Sequence, residues 1–335
     1  MRTPRLLATS VMLSSLLGLA ACGGGGYGGG GGYGMPTGAA ASKAFAADSP
    51  HSTIGSLINP NPGPGTIMVD RAITGIYTQL SNTIGSLALD TTNNRLYVGN
   101  GMSILVFNNA SQANGDPFVD RVITNNPASG NTGSLFLDTV NNRLYVGDDT
   151  AGVRVFDNAS GISGATASTR LISGNFGGSF QIHGVAVDTS SKNILYVSNT
   201  VGLTNQISVF DSANMVNGSS TTPSRTITPS PPSGVGGIFL DTANDRLYVA
   251  GGSASTVMVF NTASAANGAT PPARTMTFPS PITSVFVETV NDRLYAVSLA
   301  AIYILGSAST ASGAVTATAV LAPSGGGFTA VAVAP

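Results

Sequence analysis

The chain has 335 residues, of which 42% are hydrophobic and only 9% are charged, and its formal net charge is −1 at pH 7. This composition supplies no basic patch, which excludes the counterion-release binding that nucleic acids require. The only cysteine is Cys22, which excludes an intramolecular disulfide. After the N-terminal segment roughly 290 residues are left, which suffice for one closed domain but not for two.

Residues 1 to 21 are typical of an export signal. Arg2 and Arg5 precede an apolar stretch that is short for a membrane span and rich in Ser and Gly. The stretch ends in Leu19-Ala-Ala-Cys22, which resembles the lipobox of bacterial lipoproteins. The resemblance implies cleavage before Cys22 and acylation of that residue. A secreted protein that is cut at the same small residues is the alternative.

Residues 22 to 41 form a Gly-rich tether behind the acylated cysteine. A flexible chain of this length has a root-mean-square reach of about 24 Å. Gly23 follows Cys22, and by resemblance to enterobacterial sorting this implies the outer rather than the inner membrane. We therefore predict a lipid-anchored protein of the bacterial cell envelope, on its periplasmic or surface face.

From residue 42 to residue 335 the chain repeats one unit. Each unit has a run that ends in Asp or Glu, a short segment with Asn, Asp or Ser, and then Arg-Leu-Tyr-Val or a close variant. The marker tyrosines of the units are Tyr97, Tyr145, Tyr196, Tyr248 and Tyr295. Their spacing of about 50 residues is typical of solenoid and propeller repeats.

Each unit is predicted to contain four β-strands. Short runs of Leu, Val, Ile, Phe and Tyr, bounded by Gly, Asn, Asp, Ser and Pro, are strand signals, and no segment after residue 21 has the 3.6-residue period of a long helix. The third strand ends in Val-Phe in four units, and an Asn or Asp and a later Gly then bracket about one helical turn. The fold class is therefore all-β.

Four antiparallel strands per unit, repeated around an axis, form a β-propeller, whose sheets bury both faces against their neighbours. Lys43 to Thr74 supplies three strands of a unit and lacks the first, whereas Phe328 to Val333 matches a first strand with nothing after it. The two fragments complete one blade. We predict a six-bladed propeller that is closed by one C-terminal strand joining three N-terminal strands, which removes exposed sheet edges.

The chain has two histidines, His51 and His183. His183 precedes the predicted strand Gly184 to Asp188, and His51 lies between the second and third strands of the split blade, so both are expected on one face. They could act as ligands or as a base, with a hydrogen-bonded loop histidine as the alternative. Because the chain has no Gly-x-Ser-x-Gly elbow and no Cys partner, the sequence favours a protein that is not an enzyme.

A ring of oxygen-bearing side chains is expected three residues after each marker aromatic residue. If the blades superpose, this ring lies at the channel mouth, and calcium takes six to eight oxygen ligands. The predicted cation site consists of Asp148, Asp149, Asn100, Asn199 and Asp48. Ordinary turn residues are the alternative interpretation. No other cofactor is predicted.

Residues that break the repeat are better candidates for function than residues that recur in it. The recurring acids are predicted to cap turns; they are Asp90, Asp138, Asp188, Asp241 and Glu288. The departures from the repeat on the expected ligand face are Tyr77, Gln79, Phe176, Phe180 and Gln181, which join His183 and His51. Their aromatic rings could stack on a sugar or a peptide, or could simply anchor loops.

Leu-Tyr-Val-Gly-Asn100 and Leu-Tyr-Val-Ser-Asn199, followed by strands that end in Val-Phe-Asn or Val-Phe-Asp, resemble the YVTN-type β-propeller repeats and, more loosely, the NHL and lactonase-like propellers. The resemblance covers residues 43 to 335. It implies the fold, whereas such repeats serve enzymes, binding proteins and surface-layer proteins alike. The lactonase resemblance implies a metal held by Glu, Asn and Asp, and Glu288 is the only Glu in the chain.

These observations predict a monomeric binding or scaffolding module. Its expected partners are the membrane, through the lipid anchor, and an envelope protein or glycan. The alternative is a metal-dependent lactonase or related hydrolase with its site at the channel mouth.

Overall fold

The computed structural model of the chain describes residues 44–58, 65–67, 69–126, 131–173, 180–218, 221–322 and 327–334. They fall within one compact unit, Ala40–Pro335. The predictions for the export signal, for Cys22, for the tether and for Phe176 lie outside the described residues. No helix in the described ranges is long and apolar enough to cross a membrane.

The described residues form 28 strands and two short 3-10 helices, Ile76–Thr78 and Ala110–Gln112. The first fourteen strands are β1 (Ala44–Asp48), β2 (Thr53–Leu57), β3 (Gly65–Ile67), β4 (Arg71–Ile73), β5 (Ile84–Asp90), β6 (Arg95–Asn100), β7 (Ser103–Phe107), β8 (Arg121–Asn126), β9 (Thr132–Asp138), β10 (Arg143–Asp148), β11 (Gly152–Asp157), β12 (Gly164–Ala167), β13 (Arg170–Ile172) and β14 (Phe180–Asp188). The remaining strands are β15 (Ile194–Val201), β16 (Thr204–Asp211), β17 (Arg225–Pro229), β18 (Ile238–Asp241), β19 (Arg246–Ala250), β20 (Thr256–Asn261), β21 (Gly268–Thr270), β22 (Arg274–Thr277), β23 (Ser284–Glu288), β24 (Arg293–Val297), β25 (Ile302–Gly306), β26 (Gly313–Ala314), β27 (Ala319–Leu321) and β28 (Phe328–Val333).

The strands form six sheets that follow one another around a ring, so the structure is a six-bladed β-propeller. From the inner to the outer strand, the blades are β28-β1-β2-β4, β5-β6-β7-β8, β9-β10-β11-β13, β14-β15-β16-β17, β18-β19-β20-β22 and β23-β24-β25-β27, numbered 1 to 6. Within these blades all neighbouring strands are antiparallel. The predicted fold class is therefore confirmed.

The split blade is also confirmed. The C-terminal strand β28 pairs with β1, with Ala332 opposite Phe45, and β1 in turn pairs with β2. In this arrangement β28 covers the inner edge of β1, which would otherwise be an unpaired strand edge.

The marker residue of each unit lies between two blades. Tyr97, Tyr145, Tyr196, Tyr248 and Tyr295 are each 1% exposed or less. The Tyr97 hydroxyl donates to the Ala159 carbonyl oxygen of the next blade, at 3.2 Å. Because both faces of each sheet are buried in this way, the second strands show no polar alternation.

The recurring acids cap the turns between first and second strands, as predicted. The Asp90 carboxylate accepts hydrogen bonds from the backbone N–H and the side-chain amide of Asn93, at 3.0 and 2.8 Å. Asp138 makes the same pair of bonds with Asn141. The hydrogen bonds of these carboxylates therefore stabilise the turns between strands.

Outside the four-stranded sheets, a latch joins each blade to the next. In each blade, the segment that follows the third strand runs along the outer strand of the preceding blade and pairs with it in parallel. The latches are β12 on β8, β21 on β17, β26 on β22 and β3 on β27, together with the single bridges Gly115 to Ile73 and Gly218 to Ile172. The latches cross all six junctions of the ring.

A candidate binding site in the central channel

The channel forms a cavity of about 770 Å³ lined mainly by the inner strands. Hairpin residues Thr200, Asn205, Ser253 and Leu299 line one end. We call this end the mouth, because it lies on the face of the hairpins between second and third strands. The opposite face, with the turns between first and second strands, is the far face. None of the described residues that line the cavity is an Asp, Glu, Lys or Arg.

The inner strands of blades 1 to 4 each contain a β-bulge just inside the mouth. The register shifts there, which leaves one residue of each inner strand unpaired. With the corresponding residues of blades 5 and 6, these positions form a ring that we call the throat: Thr329, Gly85, Gly133, His183, Gly236 and Thr283. All six residues line the cavity. A bulge re-aims the side chain it carries, and His183 is the only large side chain in this ring.

Glycine at the throat allows neighbouring inner strands to approach each other closely. A Cβ atom at Gly236 would lie 2.5 Å from the Thr283 carbonyl oxygen of the next blade, closer than two such atoms can approach. A larger residue at this position would therefore push blades 5 and 6 apart.

His183 is held by a short chain of hydrogen bonds at the mouth. Its Nε2 lies 2.8 Å from the Thr200 hydroxyl, and that hydroxyl donates to Asn205 Oδ1 at 2.8 Å. Because the Thr200 proton is used on Asn205, Nε2 must be the donor to Thr200. The neutral ring therefore carries its proton on Nε2, which leaves Nδ1 as an acceptor.

Burial at the mouth shifts the pKa values of two side chains in opposite directions. Burial lowers the pKa of the His183 imidazole, although the nearby Asp149 carboxylate partly offsets this. Burial also raises the pKa of Asp149, whose Oδ1 accepts the backbone N–H of Ile182 at 2.9 Å. The fold therefore favours a neutral imidazole.

The sequence placed the start of the His183 strand too late. The predicted strand begins at Gly184, whereas β14 begins at Phe180 and pairs with an equally extended β15, Phe180 opposite Val201. The added backbone pairs make Phe180 and Gln181 part of a strand and not of a loop. Phe180 is partly buried against the core between blades 3 and 4, and Gln181 is exposed.

The other candidates of the ligand face lie away from the cavity. His51 Nδ1 is 3.0 Å from the Asp48 carboxylate and its side chain is exposed. Tyr77 packs against Phe118, with 4.5 Å between the ring centroids. The Gln79 carbonyl oxygen accepts a hydrogen bond from the Asn100 amide at 3.1 Å.

The residues of the predicted cation site are held by neighbouring protein groups, and none of them lines the cavity. The buried Asp148 carboxylate pairs with Arg154 at 3.0 Å and also accepts the backbone N–H of Thr150. Asn199 Oδ1 accepts the Ser208 hydroxyl at 3.0 Å. The described residues contain no group of three or more His, Cys, Asp or Glu that could hold a metal ion. Except for Asp149, which lies in the turn after β10, these side chains belong to second strands, which lie behind the inner strands.

Sequence reasoning missed the apolar side chains at the mouth. The hairpin tips of blades 2, 4 and 6 carry Met102, Leu203 and Leu299, which are 57%, 100% and 62% exposed. Large apolar residues at tips where the other blades have Pro, Thr or Ser are the signal that could have found them. Thr200 and Asn205 could not be singled out from the sequence, because the hydrogen bonds of Thr200 to His183 and to Asn205 need the extended hairpin.

Charge is distributed unevenly between the two faces. Every described Lys and Arg except Arg154 lies toward the far face, at the start of a second or fourth strand or in a turn. Arg154 is buried with Asp148. The mouth face therefore presents apolar and neutral groups with few charges.

Comparisons with known proteins agree with the fold. The chain matches no protein-family model and no curated protein. A solved structure entitled "Crystal structure of Nidogen/Laminin Complex" contains a chain of similar fold, with a TM-score of 0.58 at 13% sequence identity. The match covers 88% of this chain and 98% of that one. At this identity the similarity shows the propeller fold alone.

Proposed function

We propose that this protein is a binding module of the bacterial cell envelope and that its partner is a protein that docks on the mouth face. The observation that carries the proposal is the exposure of Met102, Leu203 and Leu299 on alternate blades around the channel. Exposed apolar surface rimmed by polar residues often marks an interaction site, and these three hairpin tips surround the channel on one face.

The position of the N-terminus supports this orientation. The described propeller begins at Ala44, at the start of β1, and second strands start at the far face. A tether and lipid anchor that precede Ala44 would hold the far face toward the membrane and leave the mouth free for a partner.

The low charge of the mouth favours a protein over an anionic surface. Apart from the buried Arg154, the described lysine and arginine side chains, which bind phosphates and acidic headgroups, lie toward the opposite face. The similar chain in the nidogen and laminin complex belongs to a structure of two proteins bound to each other, which agrees with a binding role without identifying a partner. The metal-dependent hydrolase stays an alternative prediction.

The test is site-specific crosslinking in intact cells of the source organism. A photoreactive amino acid replaces Leu203 at the mouth or, as the matched control, Val290 at the far face, which is 78% exposed. We expect a discrete protein adduct at position 203 alone. The purified adduct partner should bind the native chain, and Leu203→Ser should weaken that binding. Equal adducts at both positions, or adducts with glycans alone, would refute the proposal.

A further inference from the structure

The turn between the first and second strands of blade 4 departs from the repeat. Five residues separate Asp188 from Ile194, whereas four separate the corresponding Asp or Glu from an Arg in blades 2, 3, 5 and 6. In those blades an Asn donates its side-chain amide to the acid. In blade 4 the Asp188 carboxylate instead accepts the backbone N–H of Ser190 at 2.9 Å. The hydroxyl groups of Thr189 and Ser191 make no hydrogen bond with the described residues, and both side chains are exposed.

This longer turn forms one wall of a second cavity, which lies on the far face between blades 3 and 4. The cavity has a volume of about 280 Å³. Blade 3 contributes Asp138, Asn141, Arg143 and Tyr145, and blade 4 contributes mainly the polar residues of its turn. One Asp and one Arg are the charged groups among the described residues that line it. The cavity is therefore polar, and its lining charges balance.

The Arg143 guanidinium is held in place and keeps free donors. Its Nε donates to the Asp157 carboxylate at 2.7 Å. This hydrogen bond raises the pKa of Arg143, and the neighbouring Tyr145 hydroxyl adds to the effect. Nη1 and Nη2 make no hydrogen bond with the described residues, and both are accessible to solvent. Because Tyr145 also lines the cavity, the guanidinium lies at its wall with two donor groups unused.

Acceptor groups lie in the same cavity. The Asn141 side chain is exposed, and its amide nitrogen donates to Asp138 at 2.8 Å. That bond fixes the amide, so the Asn141 Oδ1 atom, which has no partner among the described residues, is left as an acceptor. The free hydroxyls of the blade 4 turn can donate or accept. The cavity therefore combines donors and acceptors.

The charges around the cavity distinguish between classes of ligand. An anion that binds Arg143 would also face the carboxylates of Asp138 and Asp157, which repel it. A cation would face the guanidinium. A neutral molecule with several hydroxyl groups meets neither repulsion, because each hydroxyl both donates and accepts.

We propose that this cavity binds one neutral sugar ring. Sugar hydroxyls accept hydrogen bonds from Arg143 Nη1 and Nη2, and others bond to Asn141 Oδ1 and to the hydroxyls of Thr189 and Ser191. A volume of about 280 Å³ lies just below the range of roughly 300–1,000 Å³ that small-molecule sites occupy, which suits a ligand of one ring. The site lies on the opposite face from the proposed protein contact, so the two proposals can fail independently.

The test is calorimetric titration of the purified full chain with glucose, galactose, mannose and N-acetylglucosamine, each as the free sugar and as its methyl glycoside, and with inorganic phosphate. We expect saturable millimolar binding of at least one sugar and no binding of phosphate. Equal binding of a sugar and its methyl glycoside would indicate the end of a glycan, and binding of the free sugar alone a soluble sugar. Phosphate bound as tightly as the best sugar would overturn the proposal, and so would the failure of all four sugars.

The repeat supplies matched variants that locate the sugar. Arg143→Met should weaken binding at least about tenfold, and Thr189→Val roughly threefold to tenfold. Arg246→Met and Thr242→Val change the same positions of blade 5, outside the cavity, and should leave the affinity unchanged. Because the Thr189 hydroxyl bonds none of the described residues, Thr189→Val should also keep the melting temperature of the free protein. Unchanged affinity in both cavity variants, or equal losses in the blade 5 variants, would overturn the proposed site.

Discussion

Replacement of Arg121 by Ala should destabilise the ring at the junction of blades 2 and 3. Arg121 Nη1 donates to the carbonyl oxygens of Ala159 and Ile162 in the next blade, at 3.2 and 2.7 Å. The guanidinium carbon also lies 5.8 Å from the Tyr97 ring centroid. Hydrogen bonds from a charged donor contribute about 1.5–3 kcal/mol each. Because one bond is long and the side chain is partly exposed, we expect Arg121→Ala to lower the free energy of unfolding by about 2–4 kcal/mol in urea denaturation.

The repeat supplies a matched control in Arg225, which begins the outer strand of blade 4 as Arg121 begins that of blade 2. Arg225 Nη1 bonds only Asp211, whose side chain is 49% exposed, and exposed pairs contribute about 0–1 kcal/mol. Its Nε and Nη2 are buried without partners in the described structure. Arg225→Ala should therefore cost less than about 1 kcal/mol. Equal losses in the two variants, or a loss below that value for Arg121→Ala, would refute a stabilising role for the hydrogen bonds of Arg121 to blade 3.

Three further predictions concern closure, protonation and cations. Removal of residues 328–335 deletes β28 and uncovers the edge of β1, so the shortened chain should aggregate or lose its cooperative melting transition; unchanged melting would contradict closure by this strand. Because burial lowers the pKa of His183, its contribution to stability is full above the unfolded pKa of about 6.5 and is lost as pH falls through the folded pKa. His183→Gln should accordingly lose less stability than the native chain on acidification from about pH 7 to about pH 5, whereas equal losses would count against a buried neutral imidazole. Calcium should leave the melting temperature unchanged, because Arg154 already holds the Asp148 carboxylate; a saturable rise would instead support the predicted cation site.

The fold could be predicted because each unit repeats both its strand pattern and its turn chemistry. A polar residue that recurs at one position in five of the six blades indicates a need that those blades share, and Asp90 and Asp138 meet it by capping equivalent turns. The split blade could be predicted because Phe328 to Val333 has the pattern of a first strand and the N-terminal unit lacks one.

The site could not be predicted to the same extent, because side-chain direction at the strand ends depends on register. The cation ring was placed at the channel by superposing second strands, but these strands lie behind the inner ones, so Asn100 and Asn199 do not line the cavity. A β-bulge has no clear signature in one sequence, so nothing marked His183 and Thr329 as members of one throat. Hydrogen bonds between distant residues, such as that of His183 with Thr200, appear only when the hairpin is built.

The propeller architecture limits the positions at which a substitution can alter the channel without destabilising the closed ring. The recurring Asp, Asn and Arg residues are committed to caps and latches, and the second and third strands are buried on both faces, so substitutions there act on stability first. The throat is different, because a bulged residue makes no ladder pair and faces the cavity. Three of its six positions carry glycine and two carry threonine, so His183 is the single large side chain of the throat. A substitution at His183 therefore changes the channel wall at the throat, where Thr200 holds the imidazole, while the rest of the repeat keeps the ring closed.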